Sequence, residues 1–225
     1  MNKDKKAERR SYICEVRAEN GAEATESIIE GRPIVYGSRT NLGWFDEIID
    51  TGALDNADLT DVRFLVNHDL SKIPLARSRN NNMNSTMQLR PNEDGLDITA
   101  RIDIGANADA KALDSAVRRG DISGMSFMFF VDGESWDDLE SDHPTRHVTA
   151  ISRVVEVSAV TFPAYEATEI YARSNEALES ARQTLESART QRAAETQAAA
   201  DTTAKDLELA KAKLKFNTIT GGQTK

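Results

Sequence analysis

The chain has 225 residues, 39% of them hydrophobic, a net charge of −9 and a single cysteine. That is enough apolar material for one packed domain plus an appendage. The acidic balance disfavours nucleic-acid binding through phosphates, and one cysteine excludes an internal disulfide and a cysteine-based zinc site. No apolar run approaches the roughly 18–20 residues of a membrane span. No apolar core follows the basic N-terminus, so no secretory leader is expected. The lone Cys14 fits a reducing, cytosolic setting.

Taken in chain order, MNKDKKAERR carries five basic and two acidic side chains and reads as a solvated tail over residues 1–10. Tyr12, Cys14, Val16 and Ala18 alternate, which predicts a strand with Cys14 packed in it. Residues 11–173 form the expected domain. They hold all five prolines, all three histidines, both tryptophans and ten of the twelve glycines. Short apolar stretches at 27–38, 61–70, 87–104, 123–133 and 145–165 are separated by turn residues and read as strands. Asn92-Glu93-Asp94-Gly95 between alternating apolar residues predicts a hairpin. The stretch from Gly105, GANADAKALDSAVRRG, predicts a helix with an Ala106, Ala110, Leu113, Val117 stripe and a stop at Gly120. The fold class expected is α+β, mainly β: a small closed β-barrel with flanking helices, followed by a long C-terminal helix. That helix is placed over 174–214, where there is no Gly or Pro and LESAR recurs at 178–182 and 185–189. Its heptad seam fails near Arg192 and Ala199, so it is expected to fray, dock on a partner or pair with a copy of itself. Residues 215–225 read as a flexible tail.

The chemistry centres on GDISGMSFMFF (120–130). Ser126 in this run is either a satisfied core serine or a displayed nucleophile. A nucleophilic serine needs a base and a group to hold that base. His68, at the end of the strand-like FLVNHDL, has the best local context for the base; a structural histidine is the plainer reading. Glu156 lies among Val155, Val157, Val160 and Phe162, where a carboxylate needs a partner. A histidine fits that role, as does a salt bridge to Arg153 or Arg146. His147 is the alternative third member. His143 and His147 flank the polar turn SDHPTRH and raise a metal-binding hydrolase as a rival.

Five segments, in order, carry a resemblance to a known family. These are GWFDEIIDTGAL (43–54), FLVNHDLSKIPLARS (64–78), DGLDITARI (94–102), ISGMSFMF (122–129) and EVSAVTFPAYEAT (156–168). Together they resemble the prohead (capsid-maturation) serine proteases of tailed bacteriophages, whose fold is shared with the herpesvirus assemblins. The resemblance covers about 27–172. It implies Ser126 as nucleophile displayed toward His68 as base, with Glu156 as third member; the assemblins use a second histidine there. Met128 and Ala76 stand where the family tends to have glycine, and both add side chains near the implied cleft. An oxyanion hole made of a backbone N–H and an arginine such as Arg153 is expected.

The implied activity is a serine endopeptidase, with no cofactor or metal, acting inside the assembling prohead in the host cytoplasm. Its implied partners are scaffold protein or the scaffold-like segment of the major capsid protein, and the chain itself. The 174–214 helix is expected to carry it into the shell, with self-association through that helix also open. The alternative is a non-catalytic assembly protein that uses the barrel as a docking module.

Overall fold

The computed structural model describes residues 7–23, 25–162 and 175–220. The chain divides into two compact units, Met1–Ser180 and Ala181–Lys225.

Among the described residues of the first unit, eleven strands form two sheets. The larger runs β1(Glu8–Ile13), β10(Gly124–Asp137), β11(Thr145–Val160), β5(Asp46–Ile49), β4(Thr40–Asn41), with β6(Asp61–Val66) also on β11 and β7(Ala76–Arg79) beside β6. The smaller runs β2(Arg17–Asn20), β3(Glu26–Val35), β9(Gly95–Asp103), β8(Met87–Asn92). They share one core, in which Tyr12, Phe64, Phe127, Phe129 and Val157 of the larger sheet meet Ile29, Met87, Leu96, Ile98 and Ile102 of the smaller. The expected closed barrel is not formed: pairing stops at β1 and β4 in one sheet and at β2 and β8 in the other. The mainly β content and the long C-terminal helix match expectation.

Local chemistry explains the elements. The 92–95 hairpin turns on Asn92, whose Oδ1 accepts the N–H groups of Asp94 and Gly95. Gly95 has φ +143°, and a Cβ there would lie 2.0 Å from the Ile34 carbonyl oxygen, so glycine is required. Helix α1(Ala108–Arg119) is capped by the Asn107 side chain and stops at Gly120, which is left-handed. Ala110, Leu113 and Val117 are its buried face.

The spine is the β10–β11 pair, antiparallel from Gly124↔Val160 to Asp137↔Thr145. β5 and β6 add to the far edge of β11 in parallel, at 145–148 and 156–159. The register slips between Met128 and Phe129: Met128 faces Glu156 and Phe129 faces Val154, leaving Val155 as an extra residue. Bulges of this kind re-aim side chains beside active sites.

Three expectations need correction. The N-terminal tail ends earlier than 1–10, because Glu8–Arg10 begin β1 and the Glu8 and Arg10 side chains are buried in ion pairs. Cys14 lies between β1 and β2 instead of within a strand; it is half-buried, and burial pushes its thiol pKa up. Helix α2 runs Asn175–Thr220, six residues into the expected tail. The boundary at 173/174 lies outside the described residues.

In the second unit, every described side chain of α2 from Thr190 to Lys213 is exposed, including Leu207 and Leu209. Thr190, Thr196, Thr202 and Thr203 turn their hydroxyls back onto carbonyls four residues earlier, so the helix surface is polar nearly all round. Among the described residues, no helix is long and apolar enough to cross a membrane.

Candidate active site

β6 delivers His68. The strand ends at Val66, and Asn67 and His68 both take positive φ, 52° and 58°. The Asp69 N–H closes the turn on the Val66 carbonyl. Two successive non-glycine residues in the left-handed region are strained and persist only where their surroundings fix them. Asn67 supplies the fixing. Its N–H bonds the Ala159 carbonyl, its side-chain amide donates to Thr161 Oγ1, and its Oδ1 accepts the Thr161 N–H.

That turn folds His68 back over β11. The His68 N–H donates to Ser158 Oγ at 3.1 Å, and Ser158 in turn donates to Glu156 Oε2 at 2.6 Å. His68 Nδ1 lies 2.5 Å from Glu156 Oε1. Both oxygens of a carboxylate that is 0% exposed are therefore satisfied. A hydrogen bond from Nδ1–H to the carboxylate fixes the tautomer with a free lone pair on Nε2. His68 is 7% exposed, and Nε2 is a buried atom with no hydrogen-bond partner. A histidine with one nitrogen anchored to a carboxylate and the other free is built to take up a proton.

Ser126 lies on the next strand. It pairs with Ser158 across the sheet, so the two side chains share a face with Cβ atoms about 5 Å apart. Met128, cross-strand from Glu156, is on that face too and is buried, as its substitution for glycine implies. Ala76 opens β7 opposite Phe64 and is buried. The hydroxyl of Ser126, however, donates to the Arg10 carbonyl at 2.6 Å, and not to His68. Ser126, expected to be displayed toward His68, is 0% exposed and makes no hydrogen bond to that ring.

The remaining candidates lie elsewhere. His147 is nine residues from Glu156 on β11, roughly 30 Å along the strand, between Asp50 at 2.8 Å and Asp137 at 3.3 Å. It does not meet His68. His143 bonds Asp46 at 2.9 Å. Although burial pushes the Asp46 carboxyl upward, hydrogen bonds from His143 and Arg39 hold it below its usual range. Among the described residues, no three His, Cys, Asp or Glu side chains gather as a metal site. Arg153 sits at 3.7 Å from Asp58 and opposite Phe130, four residues beyond Ser126 on β10, which does not place it at the nucleophile.

Arg146 does not reach Glu156. It lies in a buried network in which it bonds Glu8, Glu47 and Glu134, while Arg10 bonds Glu8 and Glu47. Burial alone would raise the Glu8 pKa, but Arg10 and Arg146 hold it down at about 2. Burial opposes the charge on both arginines too, and Glu47 and Glu8 outweigh it, raising both above the ordinary arginine value.

Sequence reasoning did not single out Ser158 or Arg10, and it weighed Asn67 only as a turn residue. The first was readable: in a strand, positions i and i+2 share a face, so Glu156 implicates Ser158. Asn, directly before His68, is among the few non-glycine residues that tolerate a left-handed turn. Nothing local signalled Arg10, whose side-chain partners are Glu47, 37 residues away, and the nearby Glu8 and Arg9 carbonyl.

The chain is similar to known proteins. The family model of the caudovirus prohead serine proteases matches residues 13–183. Among solved structures, the capsid assembly protease gp21 of bacteriophage T4 matches over 72% of this chain and 100% of its own, at 14% identity and a TM-score of 0.43. No curated protein matches the chain in sequence. With well over half of its length matched by the family model, the chain belongs to the caudovirus prohead serine protease family.

Proposed function

We propose that this serine protease of capsid maturation uses Ser126 as nucleophile, His68 as general base and Glu156 as the group that holds the base. The observation carrying the reading is the His68–Glu156 contact at 2.5 Å with Nε2 left unpartnered, one strand from Ser126. In the working state, Ser126 Oγ attacks the carbonyl carbon of a peptide bond and its proton passes to His68 Nε2. Glu156 stabilises the imidazolium through Nδ1–H. The imidazolium then protonates the departing amine as the C–N bond breaks. Water, deprotonated by the same nitrogen, hydrolyses the acyl-serine and restores the hydroxyl.

The substrates in this reading are scaffold protein or the scaffold-like segment of the major capsid protein, cleaved inside the assembling prohead. The exposed, polar α2 supports a second role. A helix without an apolar face of its own gains stability from a partner, so it docks among scaffold helices and brings the protease into the shell. Such a helix also opens easily and is a target for self-cleavage.

Co-expression with the capsid and scaffold partners, read by mass spectrometry, tests the assignment. Wild type should yield discrete cleavage products and Ser126→Ala none. Equal processing by the Ser126→Ala chain would overturn it.

A further inference from the structure

A serine protease must show its nucleophile to a peptide, yet Ser126 is fully buried and its hydroxyl is taken by the Arg10 carbonyl. The strand that covers it is β1. Of the two edges of β10, β11 holds one and β1 the other, with Ser11 directly opposite Ser126. β1 is the terminal strand of the sheet order. Removing it would free the β10 edge without breaking another strand pair. The same residue whose carbonyl holds Ser126 sends its side chain into a carboxylate pocket. The Arg10 guanidinium bonds Glu47 and Glu8 and lies over the Phe129 ring.

Resting on the reading of Ser126 as nucleophile, we infer that the edge of β10 occupied by β1 is the docking site for an extended substrate segment bearing a basic residue. β1 is its resident occupant. Strand addition to a sheet edge draws affinity from main-chain hydrogen bonds and specificity from pockets under alternate side chains. When β1 leaves, Glu8 and Arg10 leave with it. Glu47 and Glu134 then face Arg146 alone, two carboxylates to one guanidinium, and the pocket lacks a cation. A segment with arginine or lysine at the register of Arg10 refills it and sets its own carbonyl beside Ser126 Oγ, where the Arg10 carbonyl now sits. β1 also stacks Tyr12 on Phe127, at 6.3 Å between ring centroids, so it does not leave freely. The protease is latent until another strand replaces β1 or the pocket contacts weaken.

The test uses the full-length chain and follows fluorophosphonate labelling of Ser126 by peptide mass spectrometry. Arg10→Ala, and Arg10→Lys as the milder variant, should label at least tenfold faster than wild type. A synthetic peptide of residues 7–13 should slow Arg10→Ala labelling back toward the wild-type rate, and the same peptide with alanine at position 10 should not. Arg9→Cys with Met128→Cys joins directly opposed residues. Oxidised, that pair should label at least tenfold slower than when reduced; this arm stands even if Arg10→Ala fails to fold. Equal labelling rates in wild type, the Arg10 variants and the oxidised lock would overturn the inference while leaving Ser126 as nucleophile. No labelling of Ser126 in any folded variant would overturn the nucleophile assignment and the inference with it.

Discussion

Two buried polar clusters lie on one sheet and are built to opposite ends. The cluster of Arg10, Arg146, Glu8, Glu47 and Glu134 sets two guanidiniums among three carboxylates, each carboxylate is paired with at least one guanidinium, and none of its fully buried atoms lacks a partner. The cluster of His68, Glu156 and Ser158 satisfies its carboxylate completely and leaves one base nitrogen empty. The first has spent its electrostatics on holding β1, β5, β10 and β11 together. The second keeps one interaction in reserve. Burial of charge alone does not set the two apart; a strained turn and an unfilled lone pair do.

The largest expected effects come from the His68–Glu156 pair and from Ser126 on the neighbouring strand. Ser126→Ala and His68→Ala should each reduce peptidase activity to background, and the double variant should be little worse than either, because the members act as a unit. Losses that add in a kinetic assay would break the assignment. Glu156→Gln should fold and lose activity by roughly 10²–10⁴-fold, since the amide no longer fixes the imidazole and its charge. Near-normal turnover in Glu156→Gln with loss in His147→Ala would move the third role to His147, against the geometry on β11.

Striking the first cluster should give the reverse profile. Arg146→Leu takes the guanidinium from Glu134 and leaves Arg10 alone against Glu8 and Glu47 in a buried site, and should cost about 3–5 kcal/mol of stability by denaturant titration. Activity per folded molecule should not fall. If Arg146→Leu abolishes chemistry while the melting curve stays in place, the division between the clusters is wrong.

The sequence reading reached the second cluster far better than the first, for a physical reason. His68, Ser126 and Glu156 sit in local patterns that strands display at short range: a strand end, an apolar run and a carboxylate among valines. The hairpin at Asn92 and the caps of α1 are local too. Arg10 and Arg146 are read only through partners up to 138 residues away. So the sequence predicts a tail where β1 begins, and Arg146 enters only as an alternative partner for Glu156, which it does not reach. Barrel closure is likewise a long-range matter of which edges meet, and strand patterns do not encode it.

Acid should separate the clusters as well. Glu8 titrates at about 2 in the fold against an ordinary 4.5. A depressed carboxylate contributes its full stability above the unfolded value and loses it as pH falls through the folded one. On the order of 3 kcal/mol should therefore drain between pH 4.5 and 2. The groups facing Glu8 there are Arg10 and Arg146, with Glu47 and Glu134 behind them. Urea midpoints measured across that window should fall steeply for wild type and less for Glu8→Gln. An identical slope in both would remove Glu8 as the source.

The smallest effect should come from Ser158, which touches the base without sharing its chemistry. Its hydroxyl accepts the His68 N–H and donates to Glu156 Oε2, so it holds both ends of the dyad at once. Ser158→Ala leaves a buried N–H and a carboxylate lone pair without partners, at a cost of about 1–3 kcal/mol. Asn67 still clamps the turn to Ala159 and Thr161, so the base stays close to its place. The expected outcome is a fall in kcat of roughly tenfold, about 1.4 kcal/mol in the activation barrier, with KM unchanged. Ser158→Thr, which keeps the hydroxyl, should recover most of the rate. A role in stability alone would lower the melting temperature of Ser158→Ala and leave kcat of the folded fraction untouched, and that result would strip Ser158 of any positioning function.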